Sequence, residues 1–391
     1  MPGEAAGAAA PNRAGWTCVV TGAGGFLGQR IVQLLLEKEE ELLELRVLDK
    51  VFRPEILQNF ARSRSHAKVT VLLGDVLDQE FLLRACQGVT LVIHSACVVD
   101  PFGYTPAEVI MDVNVKGTQL LLETCVQTGV PFFIYTSTLE VMGPNSYRQP
   151  AYNVQEDQAP ESTCRSPYPL SKRLAEKAVL AADGWALPGG DGGGGALRTC
   201  SLRPTFIFGE GSTFLSRSFQ RALRRGLLLD RMNWVEAQAN PVYVGNVAWA
   251  HVLAARALRD PERAPRLGGQ FFFVADDTPH MSYTNLNFEL GQALGFRKPP
   301  RRFIPLPVLY CLALLLELVS FLLRPLVRFV PAFDRHLLTL TNTTFTFSYK
   351  KAQKDFGYRP LFSWEDAKSR TTQWIRSLVE EHRQSERMGS Q

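Results

Sequence analysis

The chain has 391 residues, 46% of them hydrophobic, and a formal net charge of +5, which suits a large globular protein with a sizeable core. The mild positive charge is dispersed and no basic stripe is interleaved with aromatic residues, so nucleic-acid binding is not expected. Seven cysteines occur without a CxxC pair or zinc-ligand spacing, which predicts reduced thiols in a reducing compartment and no bound metal.

The first 150 residues alternate short apolar runs with helical patterns. Residues 1–14 lack the apolar core of a signal peptide and predict a disordered leader. Near-continuous Val/Ile/Leu runs are typical of strands that are buried on both faces. The five runs are WTCVVTG, LRVLD, VTVLLGD, TLVIHSA and PFFIYTS. Alternation of such strands with helices predicts an α/β fold with a doubly wound parallel sheet of the Rossmann type.

A glycine-rich turn, TGAGGFLG, joins the first strand to the first helix. Gly22 permits the tight turn, Gly25 lets backbone approach a pyrophosphate, and Gly28 lets helix and sheet pack closely. Asp49 ends the second strand and can accept hydrogen bonds from both ribose hydroxyls of NAD, whereas it would repel the extra phosphate of NADP. Lys50 could soften that preference if its side chain turned inward. NAD is therefore the predicted cofactor.

Two further strand ends carry polar candidates. Asp75 follows the third strand and is a candidate for the adenine amino group, with a simple turn aspartate as the equal alternative. Ser137 ends the fifth strand, and its hydroxyl can hold a substrate oxygen.

The pair Tyr168 and Lys172 opens the helix that continues as RLAEKAVLAA. At positions i and i+4 both side chains project from one helix face. The lysine ammonium is expected to lower the pKa of the phenol and to hydrogen-bond the nicotinamide ribose. Together with Ser137 they predict a proton-transfer site for an NAD-dependent oxidoreductase.

The later elements predict a smaller substrate or cap region whose strands interleave with the same sheet. We divide the chain into an NAD-binding domain with the catalytic helix (15–210), a mixed substrate-binding region (211–300), a membrane-associated segment (301–330) and a C-terminal substrate segment (331–391). GGDGGGG at 189–195 predicts a flexible loop.

Residues 303–323 form the most apolar stretch and are flanked by arginines. About 20 residues suffice to cross a bilayer core, but Glu317 would be costly there, and Pro305 and Pro307 shorten the run. A spanning helix, a helix lying in the membrane surface and a buried helix of the cap remain open, with membrane attachment favoured.

The motif set resembles the extended short-chain dehydrogenase/reductase superfamily and, more closely, the 3β-hydroxysteroid dehydrogenase/Δ5-Δ4 isomerases. The resemblance runs from about residue 15 to 384. Its most specific stretches are TGAGGFLGQRI, VNVKGTQLLLE, PYPLSKRLAEKAVLAA, NPVYVGNVAWAH, DDTPH and FTFSYKKAQKDFGYRPLFSWE. It implies oxidation of a 3β-hydroxy-5-ene steroid, then isomerisation to the 3-keto-4-ene, at endoplasmic reticulum or mitochondrial membranes. A homodimer is one expected assembly.

One departure concerns isomerisation. The family pattern has tyrosines after GQF, one of them a candidate isomerase acid, whereas this chain has Phe272 there. Asp276 is the remaining candidate base for the C4 proton, with a turn carboxylate as the alternative. The sequence thus predicts the dehydrogenase more firmly than the isomerase.

Three other functions remain open. One keeps the enzyme class but takes a 3β-hydroxysterol, a bile-acid intermediate or a sterol 4-carboxylate, with weak or no isomerisation. A nucleotide-sugar epimerase shares the glycine turn and the Tyr-x-x-x-Lys pair but would not need the apolar stretch. A membrane-tethered NAD-binding scaffold would have no need of Ser137, Tyr168 and Lys172.

Overall fold

The computed structural model describes residues 15–100, 103–143, 149–159, 162, 164–189, 195–298, 300, 304–323, 329–331 and 333–388. The predicted leader lies outside these residues, as does most of the glycine-rich segment at 189–195.

A seven-stranded parallel sheet forms the centre of the protein. The strand order is β10-β7-β5-β4-β1-β2-β3, so the chain reverses direction across the sheet between β1 and β4. The strands are β1 (Trp16–Thr21), β2 (Leu42–Asp49), β3 (Lys68–Leu73), β4 (Leu91–His94), β5 (Phe132–Thr136), β7 (Arg198–Pro204) and β10 (Gln270–Val274). All pairings are parallel, which confirms the predicted Rossmann-type α/β fold and the five strands predicted before residue 150.

Helices cover both faces of this sheet. One face carries α1 (Gly28–Lys38), α2 (Pro54–Ala61) and α8 (Val244–Arg259), which share a core with β1 and β2. The other carries α3 (Gln79–Cys86), α5 (Gly117–Thr128) and α6 (Pro167–Ala181). Alanine-rich α8 packs closely against the sheet, and nine of its apolar side chains are nearly inaccessible to solvent.

Shorter elements build a cap over the carboxyl end of the sheet. The strands are β6 (Ala151–Val154), β8 (Phe206–Phe208), β9 (Pro241–Tyr243) and β11 (Phe345–Phe347), which form two parallel pairs, β8 with β9 and β6 with β11. The helices of the cap are α7 (Thr213–Arg224), α10 (Tyr283–Gly291), α11 (Leu306–Leu323), α12 (Arg335–Asn342) and α14 (Trp364–Met388). Three shorter helices lie beside the sheet: α4 (Ala107–Met111) packs on α6, and α9 (Ala264–Leu267) and α13 (Lys350–Phe356) pack on β10 and α8. The predicted substrate-binding region 211–300 therefore contributes to two parts of the fold. Its elements α8 and β10 belong to the sheet and its covering helices, whereas α7 and α10 belong to the cap.

The apolar stretch forms α11, and its packing excludes a buried core helix. Among the described residues it is the one helix that is long and apolar enough to cross a membrane by length and composition. Only Leu309 and Ala313 are buried, against Leu338 of α12. Glu317, one turn further along the same face, accepts hydrogen bonds from the backbone N–H and the guanidinium of Arg335. The costly carboxylate therefore faces the protein, and the other faces of α11 are apolar and exposed.

Candidate active site

One large cavity opens at the carboxyl edge of the parallel sheet, beside the point where the strand order reverses. Ligands in open α/β sheets bind at such a crevice. Its volume is about 570 Å³. Lining residues come from the ends of β1, β2, β3, β4, β5 and β7 and from the cap. Gly22, Gly25, Gly28, Asp49, Lys50, Ser137, Tyr168 and Lys172 all line it. The structure therefore brings together eight of the ten site residues predicted from sequence.

The glycine turn is built for close backbone contact. Gly22 adopts a left-handed φ of +70°, and a Cβ there would lie 2.7 Å from the backbone nitrogen of Ala96. A Cβ on Gly28 would lie 2.0 Å from the carbonyl oxygen of Gly22, so no other residue fits without moving the helix. Gly25 and Phe26 line the cavity at the N-terminus of α1, where free N–H groups favour a phosphate.

Asp49 is held beside this turn. Its Oδ2 accepts the backbone N–H of Gly24 at 2.9 Å, and its Oδ1 accepts that of Lys50 at 2.7 Å. Each carboxylate oxygen keeps further lone pairs for hydroxyl donors. The position and charge fit the ribose of an unphosphorylated dinucleotide, as the sequence predicted.

Asp75 does not line the cavity, although its neighbours Gly74 and Val76 do. Its Oδ1 accepts the backbone N–H of Leu77 at 3.1 Å, and its Oδ2 pairs with Lys50 Nζ at 2.7 Å. The structure thus supports the turn-aspartate alternative over adenine recognition. The same pair draws the Lys50 ammonium toward Asp75, which limits its ability to weaken the preference for NAD.

Tyr168 and Lys172 sit in the first turns of α6, and both side chains are buried at the cavity. Lys172 Nζ donates to the carbonyl oxygen of Thr136 at 2.6 Å and lies 4.6 Å from the centre of the Tyr135 ring. These contacts anchor the ammonium at the end of β5, next to Ser137. The hydrogen bond from Lys172 thereby connects α6 to the end of β5.

Ser137 has a buried hydroxyl without a hydrogen-bond partner among the residues that the structure describes. Such buried polar groups are rare, because each one costs about 1–3 kcal/mol. Since Ser137 lines the cavity, its hydroxyl is available to a ligand oxygen. The role predicted for it from sequence fits this environment.

The pKa of Tyr168 differs in direction from the sequence-based expectation. Burial raises the pKa of this phenol well above its ordinary range, and the charges of Cys97 and Glu140 add to the effect. Lys172 acts mainly on Tyr135, where it only partly offsets the burial that raises the pKa of that phenol to about 12. Burial thus acts on the pKa of Tyr168 in the direction opposite to the lowering expected from Lys172.

Asn114 supports the catalytic helix and was not singled out from the sequence. It lies in a π-helical turn, Asp112–Lys116, between α4 and α5. Its Nδ2 donates to Ser171 Oγ at 2.9 Å and to the carbonyl of Val98, while its Oδ1 accepts the Val98 N–H. A π-turn in an otherwise regular helix often marks a functional position, but the helical pattern around VNVKG gives no local signal of it.

Asp276 and Phe272 lie away from the cavity. Asp276 Oδ2 accepts the backbone N–H of Tyr243 and the amide of Asn246, which caps the start of α8. Phe272 is fully buried and packs edge-on against Phe356, with ring centres 5.2 Å apart. The candidate base is thus a structural carboxylate, and a hydroxyl at position 272 would not face the site. Because position 272 does not face the cavity, the presence of phenylalanine there is no argument against isomerisation.

Two buried histidines near the site, His94 and His251, have both ring nitrogens engaged within the protein. His94 bonds to Thr21 and Thr118, and burial lowers its pKa to about 3. His251 bonds to Thr136 and the Val247 carbonyl, and burial lowers its pKa to about 4. Both rings are neutral. In the part of the chain that the structure describes, no group of three or more His, Cys, Asp or Glu side chains could hold a metal ion.

Comparisons with known proteins agree with this geometry. The model of the 3-beta hydroxysteroid dehydrogenase/isomerase family matches residues 19–308. Among solved structures, gox2253 is 26% identical, with a TM-score of 0.65, over 92% of this chain and 98% of its own. A dTDP-glucose 4,6-dehydratase from Streptomyces venezuelae, solved with NAD, is 22% identical with a TM-score of 0.66, over 92% and 97%. A Thermus thermophilus UDP-glucose 4-epimerase, also solved with NAD, is 21% identical with a TM-score of 0.64, over 92% and 99%. These structures share the fold.

Proposed function

The chain belongs to the 3-beta hydroxysteroid dehydrogenase/isomerase family, and from that premise we propose that it oxidises the 3β-hydroxyl of 3β-hydroxy-5-ene steroids to the 3-ketone. Isomerisation of the Δ5 double bond to Δ4 would follow in the same cavity. The coarser activity, NAD-dependent oxidoreduction, follows from the family and from residues that fit the cofactor.

The observation that carries the choice of a steroid is the lining of the cavity beyond the cofactor residues. Among the described lining residues the only cations are Lys50 and Lys172, and both are engaged, with Asp75 and with the Thr136 carbonyl. A nucleotide sugar brings a diphosphate that would lack a cationic partner there. Apolar side chains, including Phe206, Phe214, Met232, Leu337 and Leu340, line much of the rest, together with Glu140 and several Ser and Thr hydroxyls. This surface suits a rigid hydrocarbon skeleton with a single polar end.

The residues that would hold NAD are those of the glycine turn, Asp49 and Lys172. Backbone at Gly25 and the N-terminus of α1 would face the pyrophosphate, Asp49 the adenosine ribose, and Lys172 the nicotinamide ribose. When bound, NAD accepts the hydride that leaves C3 of the steroid.

The protein's own chemistry is the transfer of the hydroxyl proton. Ser137 Oγ, which has no partner among the described residues, would hydrogen-bond the 3-oxygen and orient it toward Tyr168. Tyr168 would take the proton as the carbonyl forms, in the phenolate form that the positive charges of Lys172 and the nicotinamide ring would favour when NAD is bound. Lys172, anchored on the Thr136 carbonyl, keeps a positive charge beside the phenol and stabilises the negative charge that passes through it.

We further propose that α11 attaches the protein to a membrane and lies along its surface. One side of the helix is occupied by α12, through Leu309, Ala313 and the Glu317–Arg335 pair. Lipid can therefore reach the opposite side only. A membrane of the endoplasmic reticulum or the mitochondrion, as the resemblance implies, would also supply the hydrophobic substrate.

The proposed function is tested by offering two substrate classes to the detergent-purified protein with NAD. Pregnenolone or dehydroepiandrosterone should give NADH and the ultraviolet band of a conjugated enone, while the 3α-epimer and UDP-glucose should give neither. NADH without the enone band would overturn isomerisation alone. Turnover of UDP-glucose with no turnover of steroid would overturn the substrate class.

A further inference from the structure

Glu140 is a carboxylate in the cavity that the proposed oxidation does not use. It lies in a single 3-10 turn, Leu139–Val141, directly after Ser137 and Thr138. Its side chain is 14% exposed and lines the same cavity as Tyr168. Tyr283 lines it too, and besides burial the charge of Glu140 contributes to the raised pKa of both Tyr168 and Tyr283.

His336 holds this carboxylate from the other side. Its Nε2 lies 3.3 Å from Glu140 Oε2, and its Nδ1 lies 3.4 Å from Cys164 Sγ. Burial opposes the charged imidazole, but hydrogen bonds with Cys164 and Glu140 outweigh it and raise the pKa of His336 to about 10. The imidazolium therefore orients Oε2. No hydrogen bond to Oε1 is found from the residues that the structure describes.

The position of Glu140 relative to Ser137 and Tyr168 determines what it can reach. A steroid whose 3-oxygen bonds to Ser137 and Tyr168 would have ring A beside the end of β5 and the turn that follows it. Glu140 lies three residues after Ser137 on that turn, and α12 contributes Leu337 and Leu340 to the same wall. C4 is next to the carbon held at this point, and C6 is separated from C4 by C5 alone. One carboxylate can thus serve both carbons.

We propose that Glu140 carries the proton of the isomerisation step from C4 to C6, with His336 as its positioning residue; this rests on the proposed steroid oxidation. The Glu140 carboxylate takes a proton from C4, and the C4–H electron pair forms the C3=C4 bond of a dienolate whose oxygen is stabilised by Ser137 and protonated Tyr168. The carboxylic acid then returns the proton to C6. The C5=C6 pair forms the new C6–H bond, C4=C5 forms and the 3-ketone is restored, so no oxidant or co-reactant is consumed.

The test isolates isomerisation by supplying androst-5-ene-3,17-dione, which is already a ketone, to the full-length protein with NAD. Oxidation is measured separately with a 3β-hydroxy steroid that lacks the double bond. Loss of a general base typically costs 10²–10⁴-fold. We expect Glu140→Gln to lower the ratio of isomerisation to oxidation at least about 100-fold, and Glu140→Asp to recover part of it. Asp276→Asn, checked for folding by its melting temperature, should leave that ratio unchanged.

Transfer of deuterium from C4 to C6 gives a second measurement, which would not change if the role of Glu140 were only structural. With substrate deuterated at C4, the wild type should deliver deuterium to C6, whereas residual product from Glu140→Gln should carry solvent hydrogen there. His336→Ala should lower kcat of isomerisation more than it changes KM, and His336→Gln, which retains an N–H donor, should restore part of kcat.

Three results would overturn the inference. Unchanged isomerisation in Glu140→Gln, or its loss in a folded Asp276→Asn, would reject Glu140 while leaving the proposed function intact. A wild type that oxidises steroid but does not isomerise the ketone would reject both the inference and the isomerase half of the proposed function.

Discussion

The proposed oxidation depends on Tyr168, and the burial of this residue makes a direct prediction. In the protein without NAD, the raised pKa keeps the phenol protonated across the range in which an ordinary tyrosine, with a pKa of about 10, begins to ionise. A difference titration of ultraviolet absorbance between the wild type and Tyr168→Phe should show no phenolate signal from this residue below about pH 10. A component titrating near neutrality would mean that Lys172 outweighs burial, as the sequence suggests.

Asp49 should set the choice between NAD and NADP. Its carboxylate lies beside the glycine turn, so replacement by Asn removes the repulsion of a 2′-phosphate while keeping the shape. We expect the ratio of kcat/KM for NADP to that for NAD to rise at least about tenfold, which corresponds to about 1.4 kcal/mol.

Asp78→Asn is the matched control for Asp49→Asn. Asp78 is an exposed carboxylate near the end of the neighbouring strand that caps α3 through the Phe81 N–H and does not line the cavity. Its replacement should leave the ratio unchanged. If Asp49→Asn also left the NADP-to-NAD ratio unchanged, a residue other than Asp49 would determine the choice between the two cofactors.

At the scale of elements, α11 differs from every other helix because its apolar side faces outward. Leu315 and Leu322 are 57% and 69% exposed and lie two turns apart on one side. Replacing both by Gln should weaken binding to phospholipid vesicles at least about tenfold, since burying one leucine is worth about 1.5–3 kcal/mol. Cosedimentation measures the effect.

Val71 and Leu73 offer the control for this experiment. They are also exposed, at 43% and 67%, but lie on the edge strand β3 of the sheet and not on α11. Their replacement by Gln should leave vesicle binding as it is. Alkaline carbonate should release the wild type, because the Glu317–Arg335 pair ties one side of α11 to the protein. Retention after carbonate would mean that the helix crosses the bilayer.

At the scale of the whole molecule, a buried ion pair ties the catalytic helix to the sheet. Arg203 of β7 makes a two-pronged contact with Glu176 of α6, with Nη2 to Oε2 at 2.6 Å and Nε to Oε1 at 2.9 Å. Glu176→Gln would leave a buried guanidinium without its counter-charge, which typically costs about 3–5 kcal/mol. Urea unfolding should report a loss of this size in the free energy of unfolding.

The control for that loss is Glu289→Gln, which breaks the partly exposed pair with Lys368. Such pairs contribute about 0–1 kcal/mol, so stability should change little. Equal losses in the two variants would show that the Glu176 pair has no special role in holding α6 on the sheet.

The sheet and the cofactor turn could be predicted from sequence because their signals are local. Buried parallel strands need continuous apolar runs. Glycine is required at position 22 because the backbone there has a positive φ. It is required at position 28 because a Cβ there would lie 2.0 Å from the Gly22 carbonyl oxygen. The pair Tyr168 and Lys172 could also be predicted from sequence, since residues four positions apart project from the same face of a helix.

The rest of the site depends on contacts between distant segments. Glu140 and His336 meet across 196 residues, and the sequence around neither one indicates the other. Asp276 failed as a candidate base because its role is fixed by Tyr243 and Asn246, which a strand-end aspartate does not reveal. Motif position thus led to the residues of the proposed oxidation, whereas tertiary packing determines which carboxylate lines the cavity.

The most direct test of the account is a single-turnover oxidation by Tyr168→Phe, with NAD affinity measured by titration. The account predicts that NADH formation from a 3β-hydroxy-5-ene steroid falls about 10²–10⁴-fold while the Kd for NAD stays within about threefold. Tyr152→Phe, at an exposed tyrosine outside the cavity, should behave as the wild type. Undiminished NADH formation by Tyr168→Phe would contradict the central claim.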